Sequence, residues 1–124
     1  MSFLSGSQFS KYGDESTLYH GTGAWLRVGD EVRPTDTVHT EEPRAYATSS
    51  PYQAAVYSHK NASGQHMASG GDVSLFKPVY QVEPKGGQTR TVQHPNHPIH
   101  TKSDAEGMKV KGTAGYVSHD FKPL

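Results

Sequence analysis

The sequence predicts an α+β domain with a mostly antiparallel sheet and one or two short helices. Three observations predict it. Short apolar and β-branched runs recur along the chain, each closed by glycine or proline, as short strands and tight turns require. One stretch, after Ser49-Ser50, carries apolar residues at helical spacing. Glycine (13) and proline (8) are frequent enough to break up long helices.

Taken in order, residues 1–16 are polar and rich in serine and glycine, with Phe3, Leu4, Phe9 and Tyr12 scattered among them. Two readings fit this arm: a mobile segment, or one whose aromatics pack onto the domain or a partner. The domain is expected over 17–118, with a frayed polar tail over 119–124. Thr17 to Thr22 reads as a buried strand and its turn. Leu18 and Tyr19 run into His20, and Gly21 then permits a sharp bend at a cleft edge. Gly23 to Val28 fits a helical turn or a bent strand, Gly29-Asp30 a turn, and Glu31 to Pro34 a short edge strand. Trp25, the sole tryptophan, fits core packing first and ligand contact second. Thr35 to Pro43 is a polar loop.

Ala45 to Thr48 is the second clear strand. Ser49 or Ser50 caps a helix with Pro51 in its first turn, and Tyr52, Ala55 and Val56 fall on one face. The helix is expected to end in Asn61-Ala62-Ser63-Gly64. A loop over Gln65 to Asp72 and a short strand at Val73 to Phe76 follow. Val79, Tyr80 and Val82 make the third clear strand, closed by Pro84 and Gly86-Gly87, with Thr89 to Val92 extending it. His94 to His100 is a proline-punctuated loop. Met108 to Val110 and Ala114 to Val117 read as two more strands joined through Gly112.

A chain of 124 residues suits one domain. It can bury roughly two-thirds of its unfolded surface, with an economical core, since 32% of residues are apolar. Lys+Arg and Asp+Glu are equal at 12, so bulk charge indicates neither nucleic acid nor an anionic membrane as partner. Eight histidines carry the net charge positive below about pH 6.5. Without cysteine there are no disulfides, thiolate metal sites or cysteine nucleophile. No apolar run is long enough to span a bilayer, and Met1-Ser2-Phe3-Leu4 lacks the basic start and apolar core of a secretory leader. A soluble, intracellular, cytoplasmic protein is the expectation.

Three groups of residues suggest chemistry. His94, His97 and His100 resemble a metal set. Pro95 and Pro98 favour polyproline II, however, which would put neighbouring histidine Cα atoms about 9 Å apart. One zinc holds its nitrogens at about 2 Å, so the loop would have to fold back. An exposed loop is the simpler reading, and no metal is expected. Gly86-Gly87 after a strand suggests phosphate cradling, but neither GxGxxG nor a glycine-lysine-serine pattern follows, which argues against a doubly wound nucleotide fold. The third group is His20 with Tyr46, on separate strands. Each alone fits core packing; their surroundings point further.

Those surroundings are ordered blocks: Leu18-Tyr19-His20-Gly21-Thr22 with Ala24, Leu26-Arg27-Val28-Gly29-Asp30 with Pro34, Tyr46-Ala47-Thr48, Ala54-Ala55-Val56-Tyr57, and Val79-Tyr80-Gln81-Val82-Glu83-Pro84 with Gly86. In this order and spacing the chain resembles the rifamycin ADP-ribosyltransferases, a branch of the diphtheria-toxin and poly-ADP-ribose-polymerase superfamily. The blocks cover roughly residues 18–86, with an echo at His100-Thr101-Lys102 and from Met108 to Gly115. The resemblance implies a split antiparallel β-sheet whose cleft binds NAD as co-substrate. It implies that His20 hydrogen-bonds the adenosine ribose, that Gly21 backbone meets nicotinamide, and that Tyr46 stacks on the nicotinamide ring. Cofactor contacts are thereby implied at His20, Gly21, Thr22, Tyr46, Ala47 and Tyr57. The residue types suit the tasks: imidazole donates and accepts, glycine admits a close approach, and an aromatic face supports a cationic ring.

The implied reaction displaces nicotinamide from ribose through an oxocarbenium-like transition state, which the superfamily favours with a Glu or Asp. The rifamycin enzymes place an aspartate before a Pro-Asn pair. Here the stretch reads Gly87-Gln88-Thr89-Arg90-Thr91-Val92-Gln93-His94-Pro95-Asn96, without an acid. Gln93 or His94 stands where that aspartate would, so His20, Tyr46, Gln93 and His94 form the implied catalytic set. Glu83 matches a structural glutamate, and Asp104 and Glu106 can enter from a later loop. Two functions follow as expectations: mono-ADP-ribosyl transfer of the rifamycin-modifying, antibiotic-resistance type to a small-molecule or protein acceptor, or a catalytically inactive relative kept as a binding or structural module. A nucleic-acid end is also open as acceptor.

Overall fold

A computed structural model of the chain describes residues 3–4, 9–13, 16–22, 25–34, 43–68 and 78–117. The elements in order are β1 (Phe3–Leu4), β2 (Leu18–Gly21), β3 (Glu31–Val32), β4 (Ala45–Thr48), α1 (Pro51–Ala68), β5 (Pro78–Pro84), β6 (Arg90–Gln93), β7 (His100–Asp104) and β8 (Met108–Val117). They form one eight-stranded sheet in the order β1-β8-β5-β2-β4-β7-β6, with β3 on β8. β1 joins β8 in parallel; the other pairs are antiparallel. The expected α+β class with a mostly antiparallel sheet is therefore present.

Alternation along the central strands sorts the core onto the two faces of the sheet. On one face Leu18, Ala45, Ala47, Tyr80, Val82, Met108 and Val110 pack together with Val32, and Leu26 lies against them. On the other, Phe9, Ala54, Ala55, Val79 and Val117 pack together, with Tyr19 and Tyr52 beside them. The second face carries α1, which presents Ala54, Ala55 and Ser58 to the sheet. Phe9 thus gives the N-terminal arm a packed anchor, and the Ser10 carbonyl accepts from the Tyr52 amide at 3.0 Å.

Ser50 caps α1: its Oγ accepts from the Gln53 amide at 3.1 Å. The Gln53 side chain meets Thr48 Oγ1, which also accepts from the Ser50 amide. The helix does not stop in Asn61-Ala62-Ser63-Gly64, as expected, but runs on to Ala68. One interior glycine costs about 1 kcal/mol relative to alanine, too little to end a helix already nucleated and packed.

Three further expectations are corrected. Thr89 to Val92 does not extend β5; Arg90–Gln93 is a separate strand at the far edge of the sheet. Gly86 and Gln88 adopt positive φ (97 and 53), and the turn they make carries the chain away from β5. Met108 to Val117 is one strand, because register shifts against β5 absorb its irregularities. Trp25 is 61% exposed, while its neighbour Leu26 packs against the first core cluster. The strand expected over 73–76, the tail over 119–124 and all of the 35–43 loop except Pro43 lie outside the described residues.

Candidate functional site

The central strands part at one place. β2 and β4 pair at Tyr19↔Thr48, while β2 follows β5 through all four of its residues and β4 follows β7 through all four. Beyond Tyr19, His20 and Gly21 turn away from Ala47 and Tyr46. The imidazole of His20 bridges the two strands. Its Nδ1–H donates to the Tyr46 main-chain carbonyl at 2.7 Å. That bond fixes the tautomer, so the neutral ring presents Nε2 as an acceptor. Burial lowers the His20 pKa from 6.5, against the opposing pull of the Tyr46 carbonyl.

The rings of His20 and Tyr46 leave the sheet on opposite sides. His20 shares a face with Leu18 and stands opposite Tyr80 of β5, on the side of the first core cluster. Tyr46 lies between Ala45 and Ala47 of that cluster and therefore projects to the other side, where Thr48 meets Gln53 of α1. The expected meeting of imidazole and phenol across one groove is thus corrected to a contact between imidazole and main chain.

Gly21 is set by the helix. A Cβ there would overlap the Ala54 carbonyl oxygen and crowd the Ser58 amide. Ser58 Oγ donates to the Thr22 carbonyl at 3.2 Å, tying α1 to the end of β2. Tyr57, next to Ser58, is 55% exposed on the helix side. The Ala47 side chain is buried in the first cluster, so only its backbone can serve a ligand. Gly21 and the Thr22 carbonyl therefore meet α1, and Tyr46 projects to the same side of the sheet.

Gln93 and His94 lie elsewhere. β6 is three strands from β2, roughly 14 Å at ordinary strand spacing. Gln93 pairs with His100, at the end of the sheet remote from Gly21. His94 instead meets His97, ring centroids 4.8 Å apart, and Tyr12 bonds His97 Nδ1 at 3.0 Å. The loop folds back because the His94 amide donates to the Ile99 carbonyl at 2.8 Å. His100 turns into β7, where its amide donates to Ser49 Oγ at 2.9 Å. Among the described residues no group of three or more His, Asp or Glu is arranged to hold a metal.

The late acid has a structural task. Asp104 is fully buried and accepts from the amides of Gly86, Gly87 and Glu106 and from Thr89 Oγ1, at 2.7 to 3.0 Å. Burial pushes its carboxyl up, but these donors outweigh burial and leave it below the usual range. Buried Arg44 completes the same corner. Its Nε donates to Ser103 Oγ at 2.8 Å, and its Nη2 to the carbonyls of Gln88 and Ser103.

Sequence reading missed Tyr80. It is 1% exposed, stands opposite His20, and its hydroxyl oxygen accepts from the Leu26 amide at 2.8 Å. Its place in a strand was legible; its pairing with His20 depends on register, which the sequence does not display. No protein-family model matches the chain, and a search of curated proteins found no match.

Proposed function

We propose that this protein binds NAD across the parted strands β2 and β4 and transfers ADP-ribose from it, as the resemblance to the rifamycin ADP-ribosyltransferases implies. The observation that carries the reading is the His20–Tyr46 link. A neutral imidazole, held through Nδ1, offers Nε2 to a ribose hydroxyl. On the helix side, Gly21, Tyr46 and Tyr57 supply close backbone and aromatic rings for nicotinamide. Because His20 and Tyr46 project from opposite faces, both halves meet one dinucleotide only where it passes the end of β2 beyond Gly21.

In the reaction the bond from ribose C1 to the nicotinamide nitrogen breaks. The electron pair leaves with neutral nicotinamide, an acceptor nucleophile bonds to C1, and its proton passes to solvent. Orientation is the chain's main contribution. The acceptor is a small molecule or a protein side chain.

A second reading, NAD binding without turnover, is favoured by where Asp104 and the two stand-ins for the missing acid lie. Asp104 spends its oxygens on backbone amides and Thr89, and Gln93 and His94 stand at the far edge strand.

Calorimetric titration with NAD, paired with an assay of nicotinamide release, tests both. Binding with release supports transfer or hydrolysis; binding without release supports the module; no binding overturns both.

A further inference from the structure

Trp25 is 61% exposed, although its side chain is large and aromatic and this chain has only one tryptophan. Its backbone is held in place. The next residue, Leu26, packs on the first core cluster, and its amide donates to the Tyr80 hydroxyl at 2.8 Å. The Arg27 amide donates to Asp30 Oδ2 at 2.8 Å, and Asp30 and Gly29 are bonded to Val110 of β8 at 2.8 and 2.9 Å. Tyr80 stands directly opposite His20 on the same face of the sheet. The backbone of the segment that bears Trp25 is therefore anchored on the face from which the imidazole projects. Tyr46 and Tyr57 belong to the other side.

We infer that Trp25 is the stacking platform for the adenine of a dinucleotide whose adenosine ribose is held by His20. This rests on the NAD-binding reading above and adds a residue to it. A planar base gains from an aromatic face whatever its hydrogen-bonding edge, and the strapped backbone lowers the cost of ordering that face on binding. Tyr80 is a positioning residue: it touches no ligand, but its hydroxyl holds the segment that carries the platform.

The test is calorimetric titration of the full chain and of Trp25→Ala with three probes: NAD, ADP-ribose, which has adenine but no nicotinamide, and nicotinamide mononucleotide, which has the reverse. The expected result is that Trp25→Ala weakens NAD and ADP-ribose alike by about tenfold and leaves nicotinamide mononucleotide unchanged. Trp25→Phe, which keeps an aromatic face, should recover most of the loss. Equal binding of NAD and ADP-ribose by the native chain and Trp25→Ala overturns the inference while the NAD reading stands. A loss confined to nicotinamide mononucleotide overturns it in favour of the other base. No binding of NAD by the native chain overturns the underlying reading, and this inference with it.

Discussion

His20 reaches across the parted strands to the main-chain carbonyl of Tyr46 at 2.7 Å, not to its ring. In the proposed site the imidazole thereby has two separable jobs: Nδ1 braces the opening, and Nε2 is the acceptor offered to a ribose hydroxyl. Asparagine places an amide N–H near the position of Nδ1 and has nothing at Nε2. His20→Asn should therefore keep the brace, with a melting temperature within about 3 °C of the native chain, yet weaken NAD about tenfold or more. His20→Ala should lose both. Native-like NAD affinity in His20→Asn would remove the imidazole from the site.

The same buried imidazole makes stability depend on pH in a definite direction. Its folded pKa is lowered from 6.5 by burial. Between the folded and unfolded values the unfolded chain binds more protons, so acid favours unfolding there. The contribution is complete above about pH 6.5 and declines as pH falls through the folded pKa. Melting temperatures of the native chain and His20→Asn, followed from pH 8 to pH 5, should diverge accordingly, the native chain losing more. Parallel curves would show that the ring is not held neutral by the fold.

Gly21 is required by packing. Its missing Cβ leaves room for the Ala54 carbonyl and the Ser58 amide, both helix backbone that cannot swing aside. Gly21→Ala should cost about 1–3 kcal/mol by overpacking, read as a lower denaturant midpoint with little change in m. An unchanged midpoint would mean that α1 does not cross β2 at this point.

How much of this was legible in the sequence follows from which interactions are local. β2, β4 and β5 could be placed because alternation and closing glycines or prolines are local signals; so could the Ser50 cap. Side and register could not. Tyr46 lies between two small apolar residues, so its alternation was readable, but which of its faces matches that of His20 depends on the Tyr19↔Thr48 pairing. Trp25 misled because size and apolarity are sequence properties, whereas its 61% exposure depends on how its segment lies on the sheet, where a distant Tyr80 hydroxyl holds the next amide. Asp104 looked like a mobile acid for the same reason. Three of its four donors, Gly86, Gly87 and Thr89, precede it by fifteen or more positions.

Those donors make Asp104 a stability residue. Asp104→Asn keeps the size but removes the charge and replaces an acceptor by a donor facing amides. A cost of about 2–4 kcal/mol is expected. The native carboxyl titrates below its usual range, so its contribution is present above about pH 3.9 and fades as pH falls through the folded value. Acid titration of the two chains should therefore show the native advantage shrinking at low pH. The substitution should leave NAD affinity unchanged in protein that remains folded; loss of affinity there would reassign Asp104 to the ligand.

Gln93 and His94 decide how far the family resemblance extends. Alignment through the Pro95-Asn96 pair puts one of them in the place of the missing acid, but β6 is the edge strand, three strands from His20. Gln93 is paired with His100, and His94 is engaged with His97. From that distance neither side chain touches a ribose bound at His20. Gln93→Ala and His94→Ala should each leave NAD affinity within about twofold, since an interaction that is not made contributes nothing to binding. Gln93→Asp should not raise nicotinamide release, because a carboxylate about 14 Å away in the presence of water stabilises a developing cation only weakly. A gain in release with Gln93→Asp would show that β6 closes over the site when NAD binds, and would restore the acid position to the catalytic set.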